Sequence, residues 1–486
     1  MTEPVYLGID IGTQSVRVLA VTASGRIAGS ASQPLQSIRD GVRHEQSPQE
    51  WWSATKQSCR QVTEQLAGSS VQGIAVCATS GTIVLLDEKD TLVSNALMYD
   101  DGRAQTEADE VNEVGQALWN RLSYRMQPSW ALPKLLWLSR SGAVRKGTKL
   151  AHQNDLIHLR LAGKLLAADS SHALKTGYNL IDNRWPQEII DALQLPLETF
   201  PHVVPPGLPI GEVCEAAAIE TGIRAGTPIF SGMTDGCAAQ IASGAITPGS
   251  WNCVVGTTMV MKGVTPQLLH DRSGVVYSHR SSDGHWLPGG ASSCGAGLIA
   301  QQFHADEIEL LNRSALTSGP TGVIVYPLPG TGERFPFFAP DAHGFTIGNT
   351  TNRSTQYKAT LEGLACVERL ALDLLRKRGA PMHGSYTISG GATRSEAFNQ
   401  LRATMLQRAL NVPVITEGAF GMAVLAASAS SSLQEATMRM IRMERTIEPA
   451  PEIKLYADQY GCFVNELHRR GWIDSELSSF ALKGIA

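Results

Sequence analysis

Residues Val5 to Arg17 read VYLGIDIGTQSVR. Apolar Val5, Leu7, Ile9 and Ile11 alternate up to Gly12-Thr13-Gln14-Ser15, and Val16, Val18 and Ala20 resume the alternation at once. That is the pattern of strand, tight turn and strand. Such a turn can cradle phosphate with no helix behind it. Gly12 lets the backbone approach an anion, the Thr13 hydroxyl and neighbouring N–H groups can bond its oxygens, and Asp10 at the strand end can hold a hydrated Mg2+. An ordinary hairpin with an acidic residue near its turn fits the same residues. Roughly half a chain later, Val254-Val255-Gly256-Thr257-Thr258-Met259-Val260-Met261 repeats the logic of apolar strand, Gly-Thr turn and apolar strand. The echo predicts two related domains facing one nucleotide.

At 486 residues the chain exceeds one ordinary core, so two large domains or a few smaller ones are expected. With 43% hydrophobic and 18% charged residues, packing is expected and disorder is not. A formal charge of -4, with no run of Lys and Arg, offers no basic field for a nucleic-acid backbone or an anionic membrane. The opening MTEPVYLGID has neither a basic stretch nor a long apolar one. No segment reaches the ~20 apolar residues that cross a bilayer. Eight cysteines lie scattered, without a C-x-x-C pair, which predicts reduced thiols in a cytoplasmic enzyme.

In chain order, Ile27 to Leu35 reads as a third strand, and Ser47-Pro48-Gln49-Glu50 as a capping box opening a helix to about Leu66. A strand over Val71 to Ala78 ends in Thr79-Ser80-Gly81-Thr82, and Ile83 to Leu86 is strand again. Strands on both sides of one helix predict a mixed sheet of the α/β class. Helical patterns follow near 105–118, 131–139 and 154–161, and the proline-rich 196–209 reads as an irregular crossing loop. Thr227 to Cys237 is a strand and glycine turn feeding a small-residue helix. Asp235 therefore stands where a strand meets a helix, a place used for chemistry and equally the place of an N-cap. Gly330 to Phe338 reads as an ordered loop and Ser354 to Arg378 as a long helix. The strand ending at Ser389-Gly390-Gly391-Ala392 can lay its backbone flat against a planar group or a phosphate. Met438 to Met443 and Leu455 to Leu467 read as helices that brace the domains or form a dimer face.

The ordered set Asp10-Ile11-Gly12-Thr13, Tyr99-Asp100-Asp101-Gly102-Arg103, Pro133-Lys134-Leu135-Leu136-Trp137-Leu138, Gly232-Met233-Thr234-Asp235-Gly236, Gly256-Thr257-Thr258, Gly332-Glu333-Arg334 and Gly390-Gly391-Ala392 resembles the FGGY carbohydrate kinases, of the actin, Hsp70 and sugar-kinase superfamily. The resemblance implies two ribonuclease-H-like domains of the actin-like ATPase type with an interdomain cleft: 1–244 for sugar, 245–445 for ATP, and a helical tail over 446–486. It implies ATP and Mg2+ as cofactors and a small-molecule sugar as partner, in a monomer or homodimer. Asp235 looks like the general base on the sugar hydroxyl. Gly12, Thr13 and Gln14 look like the first phosphate turn, Gly256, Thr257 and Thr258 like the second, and Gly390, Gly391 and Ala392 like the adenosine site. Asp10 looks like the metal partner. Phosphoryl transfer needs positioning and charge neutralisation more than covalent help, so these residue types suffice.

Thr79-Ser80-Gly81-Thr82 offers neutral hydrogen bonds and no charge. With Ala96-Leu97-Met98-Tyr99 and the Asp235 turn, it is similar to the D-ribulose kinase branch of that family. D-ribulose is thus the first expected substrate and D-xylulose the second. Under this reading Asp10, Ser80 and Asp235 hold sugar hydroxyls, and Asp101 and Arg103 lie near the pocket rim. A different class, a non-catalytic nucleotide-dependent sensor or switch, would keep both phosphate turns but has no need of Asp235.

Overall fold

The computed structural model describes residues 3–350, 352–451 and 453–484. The chain forms two compact units: Met1–Gly244 with His279–Leu287 and Ile415–Arg442, and Ala245–Ser278 with Pro288–Val414 and Met443–Ala486.

In the first unit the opening run forms β1 (Val5–Ile11) and β2 (Ser15–Thr22), followed by β3 (Ile27–Pro34), β4 (Val71–Ala78) and β5 (Pro228–Thr234), in the spatial order β3-β2-β1-β4-β5. β1 pairs antiparallel with β2 and parallel with β4, and β5 runs parallel to β4. Ile11 and Thr234 both register with Ala78. The C-terminal ends of three parallel strands therefore share one sheet edge. From it depart the turns at 12–14 and 79–82 and the helix that begins at Asp235, which is where α/β sheets gather ligands.

Strand periodicity decides what covers each face. Val5, Leu7, Ile9 and Ile11 enter a core with Trp51, Cys59 and Val62 of α1 (Pro48–Gln65). Tyr6, Gly8 and Asp10 point the other way. A Cβ on Gly8 would lie 1.6 Å from the Ala419 carbonyl oxygen, so α7 (Gly418–Ala427) rests its backbone directly on β1. A small antiparallel sheet containing Arg43–Gln46, Ala96–Leu97, Ile83–Leu86 and Lys149–His152 completes this unit, with α2 (Ala131–Arg140), α3 (Gln153–Ala162) and α4 (Asp235–Ala242).

The second unit repeats the plan. β6 (Trp251–Val255), β7 (Met259–Gly263), β8 (Trp286–Ser292), β9 (Tyr386–Ser389) and β10 (Leu410–Pro413) take the order β8-β7-β6-β9-β10. The pairings match strand for strand: β6 with β7 antiparallel, β6 with β9 parallel, β9 with β10 parallel. The echo read in the sequence is an echo of topology. Its core surrounds α5 (Arg353–Lys377), where Glu368 pairs with Arg402 of α6 (Glu396–Leu406) at 2.6 Å and accepts the Tyr386 hydroxyl at 2.7 Å.

Four local readings change. Ser47 precedes α1 without capping it; its hydroxyl donates to Gln49 instead, at 3.0 Å. A full capping box forms at Ser432 and Glu435, so the helix there runs Leu433–Met440, and Met443–Ile447 is a strand paired with β10. The loop expected over 330–338 is half strand, because Ile324–Glu333 pairs with Ala339–Ile347. The tail helix Ile453–Arg469 places Tyr460, Phe463, Val464 and Leu467 in the second unit's own core.

Candidate active site

Asp10 and Asp235 come together at the sheet edge of the first unit. Burial and the nearby Asp235 charge raise the Asp10 carboxyl to about 6. The same two aspartates push the Cys77 thiol, across the β1–β4 ladder from Asp10, further up than burial alone. Asp10 Oδ1 is buried and accepts no hydrogen bond. A Cβ on Gly418, at the start of α7, would stand 2.9 Å from Asp10 Oδ2, so any larger residue there would push on the carboxylate. Asp235 is exposed at the first position of α4, and Thr234 takes the N-cap place. Its Oδ1 accepts the Gly236 N–H at 2.7 Å, so it is not the cap that its sequence position also allowed.

The turn at Gly12-Thr13-Gln14 is closed by Gly12 N–H donating to the Ser15 carbonyl at 3.0 Å. Gln46 pins it from behind: Nε2 donates to the Thr13 carbonyl at 2.7 Å, and Oε1 accepts Trp51 Nε1 at 2.7 Å. Tyr99, itself raised by burial and by Asp100, hydrogen-bonds the Thr13 side chain. In the 79–82 turn, Thr79 Oγ1 is joined to Thr82 Oγ1 and Gln153 Oε1, both at 2.6 Å, whereas the buried Ser80 Oγ has no protein partner.

Lys134 explains how that turn is held. The side chain is fully buried, and Nζ donates to the carbonyls of Gly81 and Met98 at 2.7 Å and of Leu97 at 3.4 Å. Burial pulls its pKa down to about 7. A neutral amine has two N–H groups, so all three bonds require the ammonium form. Lys175 holds the opposite side, donating to the Ser80 carbonyl at 3.0 Å while it lies over the Trp130 ring. Neither lysine stood out as a site residue in the sequence, although a single Lys inside the apolar Leu-Pro-Lys-Leu-Leu-Trp run was a usable signal.

Asp101 and Arg103 are committed within the protein. Buried Asp101 accepts the His44 N–H at 2.8 Å and pairs with Arg103, which also bonds Glu45 at 2.9 Å and stacks on Trp137 at 4.7 Å.

In the second unit, Gly256-Thr257-Thr258 and Gly390-Gly391-Ala392 leave neighbouring parallel strands, β6 and β9, at the same edge. Gly256 N–H donates to the Thr258 carbonyl at 3.0 Å, as Gly12 does to Ser15. A Cβ on Gly256 would meet nothing within 4 Å, so the face of this turn has room for an anion. The back is packed: a Cβ on Gly295 would come 2.4 Å from the Thr257 carbonyl oxygen. Buried Glu333 fixes that packing loop, accepting Ser293 N at 2.7 Å, the Ser292 hydroxyl at 2.9 Å and the Tyr326 hydroxyl at 2.6 Å. Gly390 has φ of 89° and would place a Cβ 2.5 Å from the Val255 carbonyl, so its glycine serves the fold, whereas a Cβ on Gly391 would meet only the Arg394 side chain, at 3.8 Å. Met405, on α6, is a core residue beside Cys366.

Among the described residues no group of three or more His, Cys, Asp or Glu gathers as a metal site. A Mg2+ carried on nucleotide phosphates needs as little as one carboxylate, and the orphaned Oδ1 of Asp10 fits that demand.

Comparison with known proteins agrees with this architecture. Residues 5–242 match the model of the N-terminal domain of the FGGY family of carbohydrate kinases, and residues 251–430 that of the C-terminal domain. A xylulose kinase of Bacillus subtilis is 24% identical over 98% of this chain and 99% of its own. A gluconokinase of the same organism is 25% identical over 84% of each. In fold, the chain is similar to the ligand-bound xylulose kinase of Lactobacillus acidophilus, with a TM-score of 0.88 at 23% identity over 96% of this chain and 98% of that one. It is also similar to the glycerol kinase of Plasmodium falciparum solved with ADP, at 0.85 and 18% over 97% and 99%. The chain belongs to the FGGY family of carbohydrate kinases, enzymes that transfer phosphate to an alcohol group of a sugar, and has their two-domain, actin-like ATPase fold.

Proposed function

We propose that this kinase phosphorylates the terminal hydroxyl of a ketopentose, D-ribulose in first place and D-xylulose in second, with Asp235 as the general base. The observation that carries the substrate reading is the 79–82 turn. Its threonine hydroxyls are bonded within the protein, and the buried Ser80 hydroxyl alone is left for a ligand. D-ribulose and D-xylulose differ only in configuration at C3, and one correctly placed hydroxyl partner separates such epimers by about 1–3 kcal/mol. The relatives named xylulose kinase favour the second choice.

Asp235, exposed at the head of α4, is suited to accept the proton of the attacking hydroxyl. Asp10, with one oxygen unpartnered, is suited to hold a sugar hydroxyl, Mg2+ or both. Mg2+, when bound, neutralises charge on the transferred phosphoryl group. The turns at Gly12-Thr13-Gln14 and Gly256-Thr257-Thr258 supply N–H and hydroxyl donors to phosphate, and Gly391 and Ala392 with Gly390 supply an open backbone surface for adenosine. Asp101 and Arg103, paired with each other and with Glu45, act by shaping the region behind Tyr99. The enzyme is expected in the cytoplasm as a monomer or homodimer.

A coupled ADP-release assay over D-ribulose, D-xylulose, L-ribulose, L-xylulose, ribitol, glycerol and D-gluconate tests the reading. The highest kcat/KM is expected with D-ribulose. Background ATP hydrolysis with every ketopentose removes the assignment, and a clear preference for D-xylulose reverses the order of the two.

A further inference from the structure

Beneath the 79–82 turn lies a set of ionisable side chains that the transfer chemistry does not use. His152, Asp155, His158, Asp169 and His172 are each at most 2% exposed. Four of them form two i,i+3 pairs: His152 Nδ1 with Asp155 at 2.7 Å, and His172 Nδ1 with Asp169 at 2.8 Å. The second pair touches the turn. His172 Nε2 lies 3.3 Å from the carbonyl oxygen of Ala78, the last residue of β4, from which Thr79-Ser80-Gly81-Thr82 departs.

The partners dictate the proton count. A carbonyl oxygen only accepts. Asp169 Oδ1 accepts the His172 backbone N–H at 2.8 Å, and Oδ2 accepts Asn154 Nδ2 at 2.8 Å besides facing the ring, so donors converge on both oxygens as they do on an ionised carboxylate. A neutral imidazole has one N–H and can serve Asp169 or Ala78. The imidazolium serves both.

The surroundings agree in sign. Burial opposes the charge on His172, but Asp169, with Asp155 behind it, and the Ala78 carbonyl outweigh burial, so the His172 pKa is raised and that of Asp169 is lowered. His158, whose ring nitrogens both lack a hydrogen-bond partner, is pushed down by burial and adds no positive charge. The His152 ring sits 6.0 Å from that of His172, with Nε2 at 2.8 Å from the Thr176 hydroxyl. Beyond these, His279 reaches the neighbouring Ser171 hydroxyl at 3.1 Å, and Lys175 holds the far side of the turn.

We propose that His172 is a positioning residue for sugar binding: as an imidazolium clamped between Asp169 and the Ala78 carbonyl, it fixes where the 79–82 turn leaves β4 and hence where the Ser80 hydroxyl stands. The inference rests on the reading of Ser80 as a sugar contact. As pH rises through the His172 pKa, the proton and one of the two bonds are lost together. The KM for the ketopentose then rises on the alkaline side, while kcat and the KM for ATP hold.

Steady-state kinetics of the full chain between about pH 6 and 9 test this, with His172→Gln as the variant that cannot titrate. The sugar KM of H172Q is expected to rise roughly ten-fold at neutral pH with kcat within about two-fold, and its alkaline limb to shrink to the part set by Lys134, whose ammonium holds the same turn through Gly81. A wild-type sugar KM with the limb intact overturns the proposal. Should H172Q not fold, long-range proton–nitrogen NMR of the wild-type enzyme labelled at its 12 histidines gives an independent answer. One ring is expected to keep both nitrogens protonated to a higher pH than a free imidazole, which titrates at about 6.5; twelve rings that lose a proton at or below that pH overturn the proposal. Ser80→Ala separates the two layers. An unchanged sugar KM in S80A is a failure of the substrate reading and removes the role built on it. A raised KM in S80A beside a wild-type KM in H172Q is a failure of the positioning role alone.

Discussion

The Asp10 carboxyl titrates near 6 because burial and the Asp235 charge both disfavour its ionised form. Its folded pKa lies above the unfolded one, so the folded chain binds the extra proton and stability is lost as pH rises from about 4 to about 6. At neutral pH the ionised group then weighs against the fold by about 1–3 kcal/mol, the lower end applying because the residue is not fully enclosed. Asp10→Asn is therefore expected to raise the thermal midpoint of the ligand-free enzyme at pH 7.5 and to leave it unchanged near pH 4, while turnover falls at least 10^2-fold. Differential scanning calorimetry at the two pH values, with the ADP-release assay, checks both halves. A lower midpoint at pH 7.5 contradicts the account. Asp10 and Asp235 were legible in the sequence because each ends a recognisable strand. Lys134, Gln46 and His172 were not, because each acts on backbone carbonyls contributed by distant segments, and sequence spacing holds no trace of those partners.

At the scale of elements, the first site depends on how closely α7 approaches β1. Gly8 makes that approach possible, since a Cβ there would meet the Ala419 carbonyl, and Gly421 does the same for the packing of α7 on α4, where a Cβ would lie 2.0 Å from the Ala238 carbonyl oxygen. Backbone cannot yield as a flexible side chain can, so Gly8→Ala is expected to cost about 3 kcal/mol or more and to impair turnover by displacing Gly418 from Asp10. Urea unfolding followed with activity measures both, and wild-type values for each would contradict the packing argument. Strand periodicity announced β1, β2, β6 and β7, yet nothing in Phe420 to Ala427 beyond its small residues marked it as the cover of a sheet more than 400 positions earlier in the chain. The capping box was misplaced for a related reason. Ser47 has the right spacing to Glu50, but its hydroxyl has a nearer acceptor in Gln49, whereas Ser432 and Glu435 bond reciprocally.

At the scale of the whole molecule, the repeated strand order is what the paired Gly-Thr turns foretold, since each turn can sit only between the first two strands of such a sheet. Less visible were the excursions by which His279–Leu287 and Ile415–Arg442 return to the first unit, because periodicity names an element without naming its neighbour. Family membership makes the chain a carbohydrate kinase, and the assignment of the base to Asp235 is the claim on which the catalytic account turns. The most direct measurement is Asp235→Ala, with sugar and ATP binding followed by calorimetry and turnover by ADP release. Binding within a few-fold of wild type and a kcat lower by about 10^2 to 10^4 is the predicted result. A variant that turns over at close to the wild-type rate would contradict it.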